Sequence, residues 1–355
     1  MKFKLGKKII SKNSPTYFIA DIAANHDGIL SRAIKLIDLA KESGADAVKF
    51  QHHDISKYVS DYGFKKLGQK LSHQKKWKKS IFQVYKEAEV PRKWTETLAN
   101  HCKKIDITFM STPYDLDTAE YLKKFIPAFK IGSGDLAWDD MLNKILSTKK
   151  PFFVATGAST MKEVEHAVKI ITKKKINFCL MQCNTNYTGS NENFRYINLN
   201  VLKTYKKKFP DVLLGLSDHT PGHETVLGSI MLGARVIEKH FTDNTKRPGP
   251  DHPFSMDPKT WRLMIDSSRN LESALGDGIK KVENNEKKTV VLQRRATRAI
   301  RDIKKGEKIT RQDIEYQRPC PKEAITPNNS KKIFEKKIKR NIKSGDFLRK
   351  NDFNY

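Results

Sequence analysis

Eight short apolar runs, each followed by a stretch with helical periodicity, constrain this chain more than any other feature. The runs are YFIADIAA (17–24), DAVKFQ (46–51), DITFMS (106–111), AFKIGS (128–133), FFVATG (152–157), NFCLMQC (177–183), LLGLSD (213–218) and ARVIEKH (234–240). They are rich in Val, Ile, Leu and Phe, as strands buried on both faces must be. The intervening segments, such as SRAIKLIDLAKESG and STMKEVEHAVKIITKKK, place apolar residues at helical spacing. Ser159 or Thr160 is a candidate cap for the second of these, with Glu163 a turn later. Eight such units before residue 278 predict a TIM (β/α)8 barrel over 1–278. An open doubly wound sheet would call for a Gly-rich nucleotide loop after the first strand, and none is present.

The pattern changes after LESALGDG. A charged segment, 279–290, reads as a linker, and 291–355 as a small module of short strands and turns. Within it DIKKGEKIT and NIKSGDFLRKNDF repeat one pattern of apolar, polar, Gly, acidic and apolar positions. The connection 52–94 after the second strand is unusually long and carries an amphipathic stretch, WKKSIFQVYKEAEV, as a lid or interface element would.

Composition narrows the function classes. Of 355 residues, 38% are hydrophobic and 30% charged, enough apolar material for a core in a soluble protein. No run approaches a membrane span, and MKFKLGKKIISKNSP lacks the apolar segment of a signal peptide. Cys102, Cys179, Cys183 and Cys320 have no metal-knuckle spacing, so reduced thiols and a cytoplasmic location are expected. The net charge of +28 is spread in sequence over every helical segment, without a basic stripe interleaved with aromatics. Neither nucleic acid nor membrane is therefore expected as a partner.

Polar side chains fall at nearly every strand end. The first contributes Asp21, Asn25 and His26, the second Lys49 and Gln51, the third Ser111 and Thr112, and the fourth Lys130, Ser133 and Asp135. Thr156 follows, then Gln182, Asn184, Asn186 and Tyr187, and finally Ser217, Asp218, His219, Glu238, Lys239 and His240. In a barrel these converge on the carboxyl-terminal face, where active sites sit. His219 and His240 close consecutive strands, and Asp251 follows in a Pro/Gly-rich loop; neighbouring parallel strands would bring the two imidazoles together as a divalent-metal site. The alternative is two hydrogen-bonded scaffold histidines, the reading adopted for His223 and His252. Lys49 and Lys130 read either as imine-forming nucleophiles or as fixed cations for phosphate or carboxylate; nearby hydroxyls and glycines favour the second.

At these positions the chain resembles the sialic acid synthase family, the phosphoenolpyruvate-dependent nonulosonic acid synthases. IAANHDG, VKFQ, STP, FKIGSGD, ATG, NTNYTG, GLSDHT, IEKHFT and RPGPD occur in family order, and DIKKGE and RPCP resemble the antifreeze-like (SAF) domain that follows the barrel there. The resemblance implies condensation of phosphoenolpyruvate with N-acetylmannosamine or a related N-acetyl aminosugar, with water, to a nine-carbon 2-keto acid and phosphate. It implies a divalent metal, manganese before magnesium or cobalt, on His219 and His240. It implies catalytic roles for Asp21, Tyr187 and the two histidines. Lys49, Thr112, Lys130, Ser133, Asn186 and Ser217 would hold phosphoenolpyruvate. Gln51, Asp135, Tyr187, Asp251 and Arg318 would contact the sugar. Arg318 would come from the partner subunit of a domain-swapped homodimer.

Four positions depart from the family pattern: Asp21 and Asp135 stand where glutamates are usual, Ala155 replaces a serine, and Thr188 follows Tyr187 where proline is usual. The shorter carboxylates leave room beside the acceptor. Rival readings are a barrel aldolase or lyase acting through a lysine imine, and a basic nucleic-acid-binding protein.

Overall fold

The computed structural model describes residues 1–70 and 72–353; residues 354 and 355, the end of the expected second domain, lie outside the described residues. Eight parallel strands close into a barrel: β3 (Tyr17–Asp21), β4 (Ala47–His52), β5 (Thr108–Pro113), β6 (Phe129–Ile131), β7 (Phe152–Ala155), β8 (Phe178–Cys183), β9 (Leu213–Asp218) and β10 (Ala234–His240). The ring is sealed by β10 pairing with β3, His240 opposite Asp21. Each predicted apolar run overlaps one strand, with β4 and β5 reaching one and two residues further. Helices such as Leu30–Glu42, Arg92–Lys104 and Met161–Lys173 cover the outside and bury their apolar stripes against it. Thr160 caps Met161–Lys173 in a capping box with Glu163, so the second of the two candidate caps is the one used.

The two strands that precede the barrel, β1 (Lys2–Leu5) and β2 (Lys8–Ser11), were not anticipated; they form an antiparallel hairpin. Its alternation is complete over Lys2-Phe3-Lys4-Leu5, which is too short to rise above background in a lysine-rich sequence. Phe3, Leu5 and Ile10 join Tyr17, Met110, Phe153, Cys179 and Val236 in the inner core. The hairpin thus plugs the barrel at the end where the strands begin.

The barrel unit ends at Leu275, and residues from Gly276 form a second unit. Part of the expected linker is ordered there, as helix Lys287–Gln293. The second unit has its own apolar core and a two-stranded sheet, β11 (Ala296–Ala299) with β12 (Ile314–Gln317). The sequence repeat seen in it is structural. Arg301 Nε donates to Asp313 at 2.8 Å as Arg340 Nε donates to Asp352 at 2.6 Å, and Ile303 bridges Ile342, its counterpart in the other copy. No helix among the described residues is long and apolar enough to cross a membrane.

Candidate active site

A cavity of about 350 Å³ opens at the ends of the barrel strands. Strand alternation decides which strand-end residues reach it, because successive side chains point to opposite faces. Asp21, Lys49, Gln51, Thr112, Lys130, Ser217, Glu238 and His240 face inward and line it, with Ser133, Asp135, Tyr187, His219 and Asp251 contributed by the loops beyond. The residues of opposite parity serve the scaffold. His52 bonds Ser111 and Thr95, Thr156 bonds the Met181 carbonyl, Gln182 donates to the Ile197 carbonyl, and Asn25 donates to the Phe241 carbonyl. Asp218 pairs with Lys239 in a fully buried contact that Thr220 and Thr225 complete. Asn186 does not line the cavity; its side-chain oxygen accepts from the Thr188 amide. Arg318 belongs to the second unit, where its Nε donates to the Gln293 carbonyl at 2.7 Å.

The floor is a compact charge network. Lys49 Nζ lies 2.6 Å from Asp21 Oδ2, 3.8 Å from Glu238 Oε1 and 3.3 Å from Thr112 Oγ1. Lys130 pairs with Glu238, which also accepts from Ser217 Oγ at 3.2 Å. Gln51 Nε2 donates to Asp21 Oδ2 at 3.0 Å. Burial alone would raise the Asp21 carboxyl, but the Lys49 ammonium and His240 hold it below the usual carboxylate range. Burial likewise opposes charge on Lys49, yet Asp21 and Glu238 keep its pKa above that of a free lysine. Two ammonium groups are therefore fixed in a nearly solvent-free floor, where each interaction with an anion is strengthened by the low local dielectric. Glu238, not among the expected contact residues, is the hub that joins them, and its Oε2 is buried without a partner.

His219 and His240 come together as expected, with ring centroids 5.4 Å apart. Burial pushes His219 down to about 4 and His240 to about 3, so both rings are neutral at physiological pH. Because a carbonyl only accepts, the 2.8 Å contact of His219 Nδ1 with the Asn184 carbonyl puts the proton on Nδ1 and leaves Nε2 a lone pair. His240 Nδ1 is buried and has no partner, while its Nε2 is 3.6 Å from Asp21 Oδ2. Neutral imidazoles, one oriented by a backbone carbonyl, are the form in which histidine binds a divalent metal. No group of three or more His, Cys, Asp or Glu side chains suited to a metal is found among the described residues.

Two further carboxyls behave differently. Asp251 is pushed up to about 6 by burial, and its Oδ2 accepts from the Ala24 amide at 3.0 Å. Asp135 is also pushed up to about 6 by burial, with Oδ2 unpartnered. The loop carrying Asp251 is held by Asp27. That carboxylate accepts from His252 Nε2 at 2.9 Å and Arg247 Nη2 at 2.8 Å, and lies 2.9 Å from Arg32 Nε. His252 Nδ1 meets Thr242 Oγ1 at 2.7 Å, the scaffold role expected of it. Gly249 lies so close to this ring that a Cβ there would come within 2.6 Å of His252 Cδ2.

The long connection after β4 supplies a wall that sequence reading did not assign residue by residue. Tyr58 packs on Tyr114 at 4.4 Å between centroids and on Tyr85 at 5.5 Å; Trp77, His73 and Tyr187 continue the chain of rings. Tyr187 then packs edge-on against His219 at 4.3 Å. The only sequence signal was the amphipathic stretch in a long strand-to-helix loop.

Comparison with known proteins gives the context of this geometry. A model described as the NeuB family matches residues 36–280, and one described as the SAF domain matches 294–354. An N,N'-diacetyllegionaminic acid synthase of Campylobacter jejuni is 34% identical over 94% of this chain and 99% of its own length. A pseudaminic acid synthase of the same species is 32% identical over 95% of this chain and 96% of its own. The crystal structure of an N-acetylneuraminic acid synthetase from Leptospira borgpetersenii, in complex with citrate, superposes with a TM-score of 0.71 at 28% identity, covering 82% of this chain and 95% of that one.

Proposed function

The chain belongs to the NeuB family with a SAF domain, and on that premise we propose that it condenses phosphoenolpyruvate with an N-acetyl aminosugar and water, giving a nine-carbon 2-keto acid and phosphate. The observation that carries this reading is the floor of the cavity. Two buried ammonium groups, Lys49 and Lys130, stand beside two neutral imidazoles on the adjoining strands. That arrangement suits a small dianion or trianion on one side and an aldehyde on the other. N-acetylmannosamine is one candidate acceptor; the diacetamido sugars implied by the relatives' names are others.

In this reading Lys49, Lys130, Thr112, Ser133 and Ser217 hold the phosphate and carboxylate. Carbon 3 of phosphoenolpyruvate forms the new bond to the aldehyde carbon, whose oxygen takes up a proton. The C2=C3 π pair makes that bond; carbon 2 then gains the hydroxyl of water, and as this hydroxyl gives up its proton and closes to the ketone, the bond from carbon 2 to the phosphate oxygen breaks and phosphate leaves with the bonding pair and that proton. Asp21, kept ionised by Lys49, is the base placed to receive the proton of that water. Gln51, Asp135, Tyr187 and Asp251 surround the acceptor. His219 and His240 would hold a divalent metal, manganese first, with magnesium and cobalt compatible with the same donors; when bound it supplies Lewis acidity to the aldehyde oxygen.

Arg318 enters this reading from the partner subunit of a homodimer, at the acyl group of the sugar, in a cytoplasm that supplies phosphoenolpyruvate. An imine mechanism is disfavoured because Lys49 is held as its ammonium ion, not poised as a free amine. The test is phosphate release from phosphoenolpyruvate, with and without Mn²⁺, across a panel of N-acetyl hexosamines and their deoxy diacetamido analogues. Release that requires both a sugar and the metal supports the proposal. Metal-independent release, or an adduct trapped by borohydride with a keto acid, overturns it.

A further inference from the structure

In sequence the lysines look dispersed, but the barrel gathers many of them on one face, apart from a second group of eight in the connection 57–79. Helices in this fold run antiparallel to the strands, so their carboxyl ends collect on the face where the strands begin, opposite the cavity. Five successive outer helices end in, or lead directly into, lysine runs at 103–104, 123–124, 149–150, 173–175 and 206–208. All of these are exposed except Lys150, which is half-buried. The β1–β2 hairpin that plugs the same end adds Lys2, Lys4, Lys7, Lys8 and Lys12, all exposed, with Ile9 49% exposed beside them.

Four acids pair with this ring: Lys7 with Asp106 at 2.8 Å, Lys8 with Asp46, Lys123 with Glu120 at 3.5 Å and Lys208 with Glu165; the lysines at 103–104, 173–175 and 206–207 have no acidic partner among the described residues. Outside the hairpin and these turns, the acidic and basic residues of the barrel unit are close to equal in number. A generally lysine-rich composition would have left the helix walls positive as well. Attraction of cations to helix carboxyl ends accounts for some of these lysines. It falls off within the last turn and does not reach the hairpin, which belongs to no helix.

We propose that this face is a docking surface for an anionic lipid bilayer, held by electrostatic adsorption without insertion. The runs are lysine throughout, suited to a diffuse anionic surface and unsuited to bidentate reading of bases. Among the described residues the exposed aromatic side chains, Tyr62 and Tyr196, lie in connections that follow strand ends, on the opposite face, and the rings beside the lysine runs, Phe125 and Phe209, are half-buried. An open groove of about 610 Å³ on this face, bordered by Lys7, Lys8, Lys41, Lys103 and Lys124, offers room for phosphate headgroups. The cavity would face away from the bilayer and stay open to solutes.

The experiment is co-sedimentation of the full chain with vesicles of 70% phosphatidylcholine and 30% phosphatidylglycerol, against pure phosphatidylcholine. Binding is expected only to the anionic vesicles and is lost at high salt. The K173Q/K174Q/K175Q variant should bind roughly a hundredfold more weakly, from about fivefold per lysine near a charged surface. K162Q/K169Q/K203Q, which removes as many charges from the helix walls, should lose far less, and circular dichroism and phosphate release check that both variants are folded. Equal losses in the two variants, binding to neutral vesicles, or no vesicle binding would overturn the proposal. So would a single-stranded RNA oligomer that displaces the protein from vesicles and depends on the same three lysines.

Discussion

Asp21 and Lys49 face each other across adjacent parallel strands, carboxylate to ammonium at 2.6 Å, with both side chains almost wholly removed from solvent. The pair is a structural element and, in the proposed reaction, a catalytic one. A buried charge without its partner is costly, so each residue restricts what can be done to the other.

Asp21→Asn is expected to lower stability by about 3–5 kcal/mol, because Lys49 would be left buried and underpaired. The double variant Asp21→Asn/Lys49→Met should recover much of that loss in urea denaturation while remaining inactive. Additive losses would show that the two side chains contribute independently.

Asp135 gives a pH signature. Its carboxyl is raised to about 6 in the folded chain, above its unfolded value near 3.9. Between those values the folded state binds more protons, so this group makes stability fall as pH rises and has no further effect above about 6. In denaturation series from pH 4 to 8, Asp135→Asn should gain on the native protein over that interval and hold a constant advantage beyond it. A gap independent of pH would rule this out.

Dialysis against a chelator should abolish phosphate release and leave the fold intact, since His219 is seated by the Asn184 carbonyl, His240 packs against the Phe254 ring, and the apolar core does not involve the pair. Mn²⁺ should restore the rate, and its binding, followed by electron paramagnetic resonance, should be lost in His219→Ala and His240→Ala.

Asp27 does not itself line the cavity, yet its carboxylate fastens His252, Arg247 and Arg32, and through them the loop that carries Asp251. Asp27→Ala should raise KM for the acceptor sugar tenfold or more and leave KM for phosphoenolpyruvate nearly unchanged. A uniform loss in both would mean that the substitution damages the barrel at large.

The sequence carried the architecture because buried parallel strands need continuous apolar runs, and all eight are present. It also carried most of the cavity, because polar residues at strand ends have one place to go. It did not say which of two neighbouring polar residues turns inward: Asp218 and His219 are adjacent, yet one holds Lys239 behind the strand and the other meets His240. Glu238 escaped assignment for the same reason. The aromatic wall of Tyr58, Trp77 and Tyr85 comes from short helices in a long connection, where periodicity has too few turns to register. The lysine face was invisible because proximity among helix ends is a property of the closed barrel, not of the linear order.

The seam of the barrel has a consequence for synthesis of the chain. Asp21 leaves the ribosome more than two hundred residues ahead of its neighbour across the seam, His240, and of the loop bearing Asp251. Until then Lys49 has a carboxylate beside it but the ring is open, and the inner core has no lid of strands to exclude water. A nascent fragment therefore lacks the complete cavity, because Glu238, His240 and Asp251 come last. Such long-range closure also predicts slow, late acquisition of structure, with the cavity appearing in one step when the last strand docks.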